Sequence, residues 1–115
     1  MDSFEGKIAV VTGGGTGMGR ELCLQLVKEG CNVATCDVLM ENLEETRTLC
    51  QEINSDILVT LHQCDVSSEE AMNQFRDEVI AAHGDKINLL FNNAILSTPG
   101  SLSFITLGTT TNLAF

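Results

Sequence analysis

Residues 7–19 read Lys7-Ile8-Ala9-Val10-Val11-Thr12-Gly13-Gly14-Gly15-Thr16-Gly17-Met18-Gly19, and this stretch decides the fold. Lys7 to Thr12 is a short apolar, β-branched run, which suits a strand buried on both faces. Met18 to Glu29 follows at helical period. Met18, Leu22 and Leu26 lie four apart, Cys23 and Val27 widen the stripe, and Arg20, Glu21, Lys28 and Glu29 are expected to face outward. Gly30 is placed to end that helix. The glycines between strand and helix allow positive φ and lack a Cβ, so the backbone can turn tightly and approach a ligand closely. The loop opens onto a helix N-terminus, whose unpaired N–H groups and dipole favour a pyrophosphate. A glycine run by itself also serves as a plain turn; the strand–loop–helix context favours a nucleotide site.

Outward from this unit, strand and helix patterns keep alternating. Asn32 to Cys36 reads as a second strand with Asp37 at its end. Glu41 to Ile53 reads as a helix with Leu43, Leu49, Cys50 and Ile53 inward. Ile57 to Cys64 reads as a third strand. Ser67 then opens a third helix, forming a capping box with Glu70. Met72, Phe75, Val79 and Ala82 are its expected buried stripe, and Gly84 closes it. Ile87 to Phe91 is a fourth strand. The order β-α-β-α-β-α-β implies an α/β fold with a parallel sheet and right-handed crossovers, the first half of a Rossmann-type doubly wound sheet. An apolar fourth strand with no neighbour beyond it is expected to leave an open sheet edge.

Asp37 stands eighteen residues after Gly19. In a dinucleotide site an acid there accepts hydrogen bonds from the adenosine ribose hydroxyls; the plainer alternative is a loop or helix-start residue. A carboxylate at that place also repels a 2′-phosphate, by up to about 4 kcal/mol at about 4 Å and an effective dielectric of about 20. Thr35, Cys36, Val38 and Leu39 supply no compensating cation, so NAD is expected over NADP.

Composition bounds the rest. The chain has 115 residues, 43% of them hydrophobic, with a formal charge of −10. That charge repels phosphate backbones and anionic lipid, so neither nucleic acid nor membrane is an expected partner. No signal-peptide pattern or membrane-length apolar run is visible, and a cytoplasmic location is expected. Cys23, Cys31, Cys36, Cys50 and Cys64 show no Cys-x-x-Cys spacing, so buried reduced thiols are expected, with no metal site. His62, at a strand position, and His83, at a helix end, are expected away from any reacting carbon.

These residues resemble the short-chain dehydrogenase/reductase family. Thr12 to Gly19 is similar to its T-G-x-x-x-G-x-G motif, Asp65-Val66 to its adenine-contacting pair, and Asn92-Asn93-Ala94 to the start of its N-N-A-G motif. With Asp37, these features cover residues 1–94 in family order. The resemblance implies a Rossmann fold, an NAD(P) cofactor, and hydride transfer between that cofactor and an alcohol or carbonyl carbon. It also implies that Gly13, Gly17, Met18 and Gly19 shape the pyrophosphate loop and that Asp37 holds the ribose. Asp65 and Val66 would contact adenine, and Asn93 and Ala94 would lie beside the nicotinamide ribose. The residues themselves leave Asp65 open as a helix cap and Asn92 and Asn93 as ties between strand ends. Thr16 stands where NADP-preferring relatives often carry a basic residue, in agreement with Asp37.

The resemblance stops after Ala94, where Ile95 replaces the motif glycine. No charged residue follows Lys86, and no tyrosine occurs anywhere. The family's Tyr-x-x-x-Lys pair is therefore missing, and no residue is assigned a catalytic role. Residues 95–115 read as a divergent, uncharged tail on an NAD-binding half-domain of residues 1–94. The expectation is a truncated form, inactive alone, without the family's usual subunit interface; a small alcohol or carbonyl substrate belongs to a full-length parent. The alternative is a non-enzymatic nucleotide-binding or interaction module. A methyltransferase with a similar sheet is a more distant reading, since it would not need Asp65 followed by Asn-Asn-Ala.

Overall fold

Three successive residues of the first strand, Ala9, Val10 and Val11, are fully buried, because the sheet they belong to is covered on both faces. The computed structural model describes residues 4–93 and, as backbone, residues 105–110. The elements are β1 (Ile8–Thr12), α1 (Gly17–Lys28), β2 (Asn32–Asp37), α2 (Met40–Ile53), β3 (Val59–Gln63), α3 (Glu69–His83), β4 (Ile87–Asn92) and β5 (Ile105–Thr110). They form one sheet in the order β3-β2-β1-β4-β5. The first four strands are parallel, with Thr12 level with Cys36 on one side and Asn92 on the other.

Strand alternation divides the core into two layers. Ala9, Val11 and Val33 pack with Cys23, Leu26 and Val27 of α1 and Cys50 of α2. Val10, Ala34, Cys36 and Ile87 pack on the other face with Phe75 and Val79 of α3. Helices on both faces of a parallel sheet make this the first half of a doubly wound Rossmann fold, as the sequence pattern implies. All five cysteines are free and buried. Burial pushes the thiols up, Cys23 to about 12 and Cys31 and Cys50 to about 11, so they stay protonated.

Several expectations need correction. Met18 is 68% exposed rather than part of the buried stripe, because it lies on the first turn of α1 beyond the reach of the sheet. Ile53, at the last turn of α2, is 42% exposed, and Ala82 is exposed near the end of α3. Arg20 does not face outward; its side chain lies against α2 and is only 20% exposed. The cap of α3 is Ser68, whose hydroxyl accepts the Ala71 N–H at 3.1 Å, and not Ser67. Ser67 is already engaged by Asp65, through its N–H at 2.9 Å and its hydroxyl at 2.6 Å. The edge of β4 is not open either. β5 pairs with it antiparallel, Leu89 opposite Leu107 and Leu90 opposite Thr106, with an irregularity between Ile87 and Leu89. The backbone groups on that side of β4 thereby gain partners. Ala94 and residues 95–104 and 111–115 of the tail lie outside the described residues.

A polar seam fastens α3 to β3. The Glu78 carboxylate takes a hydrogen bond from His62 Nδ1 at 2.7 Å. Thr60 Oγ1 lies 2.8 Å from His62 Nε2, within hydrogen-bond distance. Thr60 Oγ1 also lies 2.7 Å from His83 Nε2, so the threonine hydroxyl joins the two rings. Phe75 packs its ring against His62 at 5.2 Å between centroids.

Candidate functional site

The strand order reverses at β1, which has β2 on one side and β4 on the other. In open α/β sheets, ligands bind in the crevice at the carboxyl ends of the strands where this reversal occurs. The residues at those ends are Thr12, Asp37, Asn92 and, just beyond β3, Asp65. The predicted site residues among the described positions therefore converge on one end of the sheet. His62 and His83 belong to the seam between β3 and α3, at the sheet margin away from β4.

The loop from Gly13 to Thr16 turns back over the end of β2. Gly13 and Gly14 donate their N–H groups to Cys36 O at 2.8 and 3.1 Å. Gly17, the first residue of α1, has a φ of +58°, and a Cβ there would meet nothing within 4 Å. The chain needs glycine at this turn for its φ, and the space beyond it is open to a ligand. Gly19 is constrained differently: a Cβ would stand 1.9 Å from Gly13 O and 2.7 Å from Asn93 Nδ2. Helix and loop touch at that point.

The start of α1 has the character of an anion site. Thr16 precedes the helix in an extended conformation without capping it through its side chain, and the first turn holds no acidic residue. N–H groups left free at a helix start, with the positive end of the dipole behind them, favour a phosphate. Exposed Met18 flanks this opening.

Asp37 sits beside the loop. Its Oδ2 accepts the Gly15 N–H at 2.9 Å and its Oδ1 the Val38 N–H at 2.7 Å. A carboxylate offers about four acceptor positions, so this leaves capacity for a pair of ribose hydroxyls. Asp65 is exposed, and its bonds from Ser67 hold its carboxyl below the usual 3.8. It begins the turn into α3 without being that helix's cap, because Ser68 has the role. Val66 is half-buried against the layer that holds Phe75. Asn93 Nδ2 donates to Gly13 O across a long 3.4 Å, and Thr12 Oγ1 donates to Phe91 O at 3.4 Å. Asn93 thus ties the end of β4 to the glycine loop, the structural role left open for it.

Two participants were not legible as such. Arg20 Nη2 donates to Gly15 O, and Thr46 Oγ1 lies 2.8 Å from Gly14 O. The available signal was positional: Thr46 is a polar residue three positions after Leu43 and four before Cys50, within the buried stripe of α2.

A second surface cleft lies at the opposite end of the sheet, lined by Glu5, Lys28, Glu29, Asn32, Asn54 and Asp56. Its three carboxylates against one lysine make it a poor home for a phosphate. Among the described residues, no helix is long and apolar enough to cross a membrane.

The model of the short chain dehydrogenase family matches residues 7–113. A short chain aldehyde dehydrogenase from Euphorbia lathyris is 39% identical over 94 residues, which cover 82% of this chain and 31% of that relative. An NAD+-bound xylitol dehydrogenase structure is 38% identical with a TM-score of 0.75, covering 81% of this chain and 35% of the other. A short chain dehydrogenase/reductase from Burkholderia phymatum, solved with NAD, is 30% identical with a TM-score of 0.70, covering 78% and 31%. The chain spans about a third of the length of these relatives.

Proposed function

The chain belongs to the short-chain dehydrogenase/reductase family of oxidoreductases, and from that membership we propose that residues 1–94 are its nicotinamide dinucleotide-binding half, selective for NAD. The observation that carries this reading is the pairing of an uncapped α1 N-terminus with Asp37 across the glycine loop. The first-turn N–H groups behind Gly17 would bind the pyrophosphate, with Gly13 and Gly19 setting the loop and Met18 at its margin. Asp37 would hold the adenosine ribose, Asp65 and Val66 the adenine, and Asn93 and Ala94 the nicotinamide ribose. The cofactor supplies hydride chemistry when bound; these residues bind and orient it. NAD is preferred because a 2′-phosphate would meet the Asp37 charge, while Arg20, on the first turn of α1, is already paired with Glu45 at 3.0 Å.

The whole activity, hydride transfer between NAD and a small alcohol or carbonyl carbon, belongs in this proposal to a longer protein that supplies a tyrosine–lysine pair. The 115 residues are read as the cofactor-binding part of a cytoplasmic oxidoreductase, with a sequence that departs from the family pattern from residue 95. Titrating the purified chain into NADH and following nicotinamide fluorescence tests the core of the reading. Saturable binding, displaced by NAD and far less readily by NADP, is expected. Absence of saturable binding by a folded chain removes the cofactor site and leaves an interaction module that keeps the fold alone.

A further inference from the structure

A pyrophosphate cradle must offer hydrogen-bond donors and turn its acceptors elsewhere, since a carbonyl oxygen facing a phosphate oxygen is repulsive. Glycine cannot orient its own carbonyl with a side chain, so the neighbouring elements have to do it. In this chain the carbonyls of Gly14 and Gly15 are both turned into the joint between α1 and α2. Thr46 Oγ1, fully buried, lies 2.8 Å from Gly14 O and 3.3 Å from Gly15 O. Arg20 Nη2 donates to Gly15 O as well, and to Asn42 O at 3.2 Å. Arg20 Nε donates to Thr46 Oγ1 at 3.0 Å, and the one threonine hydroxyl proton is left to Gly14 O, the nearest acceptor, with the Asn42 carbonyl one turn back in α2 also within reach at 3.1 Å. Glu45 Oε1 accepts from Arg20 Nη1 at 3.0 Å and fixes the far side of the guanidinium. One planar side chain therefore spans the loop, the first turn of α2 and the buried hydroxyl, a reach that a single ammonium group lacks.

We propose that Arg20 and Thr46 are positioning residues of the dinucleotide site, clasping the Gly14 and Gly15 carbonyls away from the ligand so that only N–H groups face the pyrophosphate. This rests on the dinucleotide reading above. Neither residue touches the cofactor; both act through the loop. The clasp also sets the Gly15 peptide, whose N–H reaches Asp37 on the other side. Pyrophosphate binding and ribose binding are thus joined through one peptide unit.

The test compares NADH affinity and thermal midpoint for Thr46→Val, Thr46→Ser and Arg20→Lys, with Gly17→Val as the loop control. Thr46→Val keeps the side chain's bulk and removes the hydroxyl, Thr46→Ser keeps the hydroxyl, and Arg20→Lys keeps the charge without the fork. The expected result is NADH binding about tenfold weaker in Thr46→Val and Arg20→Lys, a loss typical of removing one hydrogen bond to a buried acceptor. Thr46→Ser should bind within about threefold of wild type, because the hydroxyl remains. Wild-type affinity in both Thr46→Val and Arg20→Lys, while Gly17→Val loses binding, overturns the clasp and leaves the dinucleotide site standing. Equal losses in Thr46→Val and Thr46→Ser also overturn it, since packing and not the hydroxyl would then matter. Should Thr46→Val not fold, Arg20→Lys decides by the same criterion. A folded wild type that does not bind NADH removes both readings.

Discussion

The Gly15 N–H donates to Asp37 Oδ2 at 2.9 Å, which links the loop at the end of β1 to the acid at the end of β2. A loop held in this way loses less conformational freedom on binding than a free glycine run would. The same bond makes Asp37 both a ribose acceptor in the proposed site and a support of the loop. Substitutions there must separate the two roles.

Asp37→Asn makes that separation. The amide oxygen can still accept from Gly15, while the negative charge is gone. The preference for NAD over NADP should narrow by about tenfold, with NAD affinity changing less. Paired titrations with NADH and NADPH measure the ratio, and an unchanged ratio removes Asp37 from cofactor discrimination.

Gly19→Ala should act mainly on stability. Its Cβ would press on Gly13 O and on the Asn93 side chain, so helix and loop must move apart. A loss of about 1–3 kcal/mol is expected from such overpacking, together with weaker NADH binding. Urea unfolding followed by circular dichroism gives the first quantity. A variant as stable as wild type would show that the loop is not tightly seated on α1.

The seam between α3 and β3 sets a pH dependence. His62 donates to Glu78 and holds its carboxyl below the ordinary 4.5. The unfolded chain then binds that proton first, so the contribution is present above about pH 4.5 and is lost as pH falls through the lowered value. Burial holds His83 below its ordinary 6.5, with the nearby His62 adding to the effect. Its proton is again taken up first by the unfolded chain, and stability declines as pH falls from about 6.5. Glu78→Gln should flatten the lower part of the stability profile relative to wild type, and His83→Gln the upper part. Profiles parallel to wild type for both variants would contradict the assignment.

Much of this was legible in the sequence because local chemistry decided it. The glycine spacing, the β-branched runs and the acid after the second strand each restrict the backbone or charge at their own position. What was not legible depends on which partner each side chain finds, near or distant in sequence. Arg20 looks like a solvent-facing charge on a helical wheel, and only the arrival of α2 gives it Thr46, Asn42 and Glu45. Ser67 and Ser68 are equally good caps by composition; Asp65 engages the first and leaves the second. β5 runs through Ile105-Thr-Leu-Gly-Thr-Thr110, whose glycine and lack of strict alternation give little strand signal, yet β4 offers it an edge.

Catalysis supplies another test. Oxidising an alcohol requires a base for its hydroxyl proton, and the chain holds no tyrosine. His62 and His83 are engaged with each other through Thr60 at the β3 margin. The purified 115-residue chain should reduce NAD with no member of a panel of primary and secondary alcohols, as read by nicotinamide absorbance. Sustained turnover would require a different base and would undo the assignment of chemistry to a longer protein.

The central claim, that the glycine loop and the start of α1 form a dinucleotide site, is tested most directly by titrating NADH into wild type and Gly17→Val side by side. A Cβ at Gly17 meets no protein atom within 4 Å, so the added side chain projects into the space assigned to the pyrophosphate. It also strains a φ of +58°, which valine resists. Saturable binding by wild type and none by a variant with unchanged helical circular dichroism is the predicted result. Equal affinity in the two proteins would contradict it.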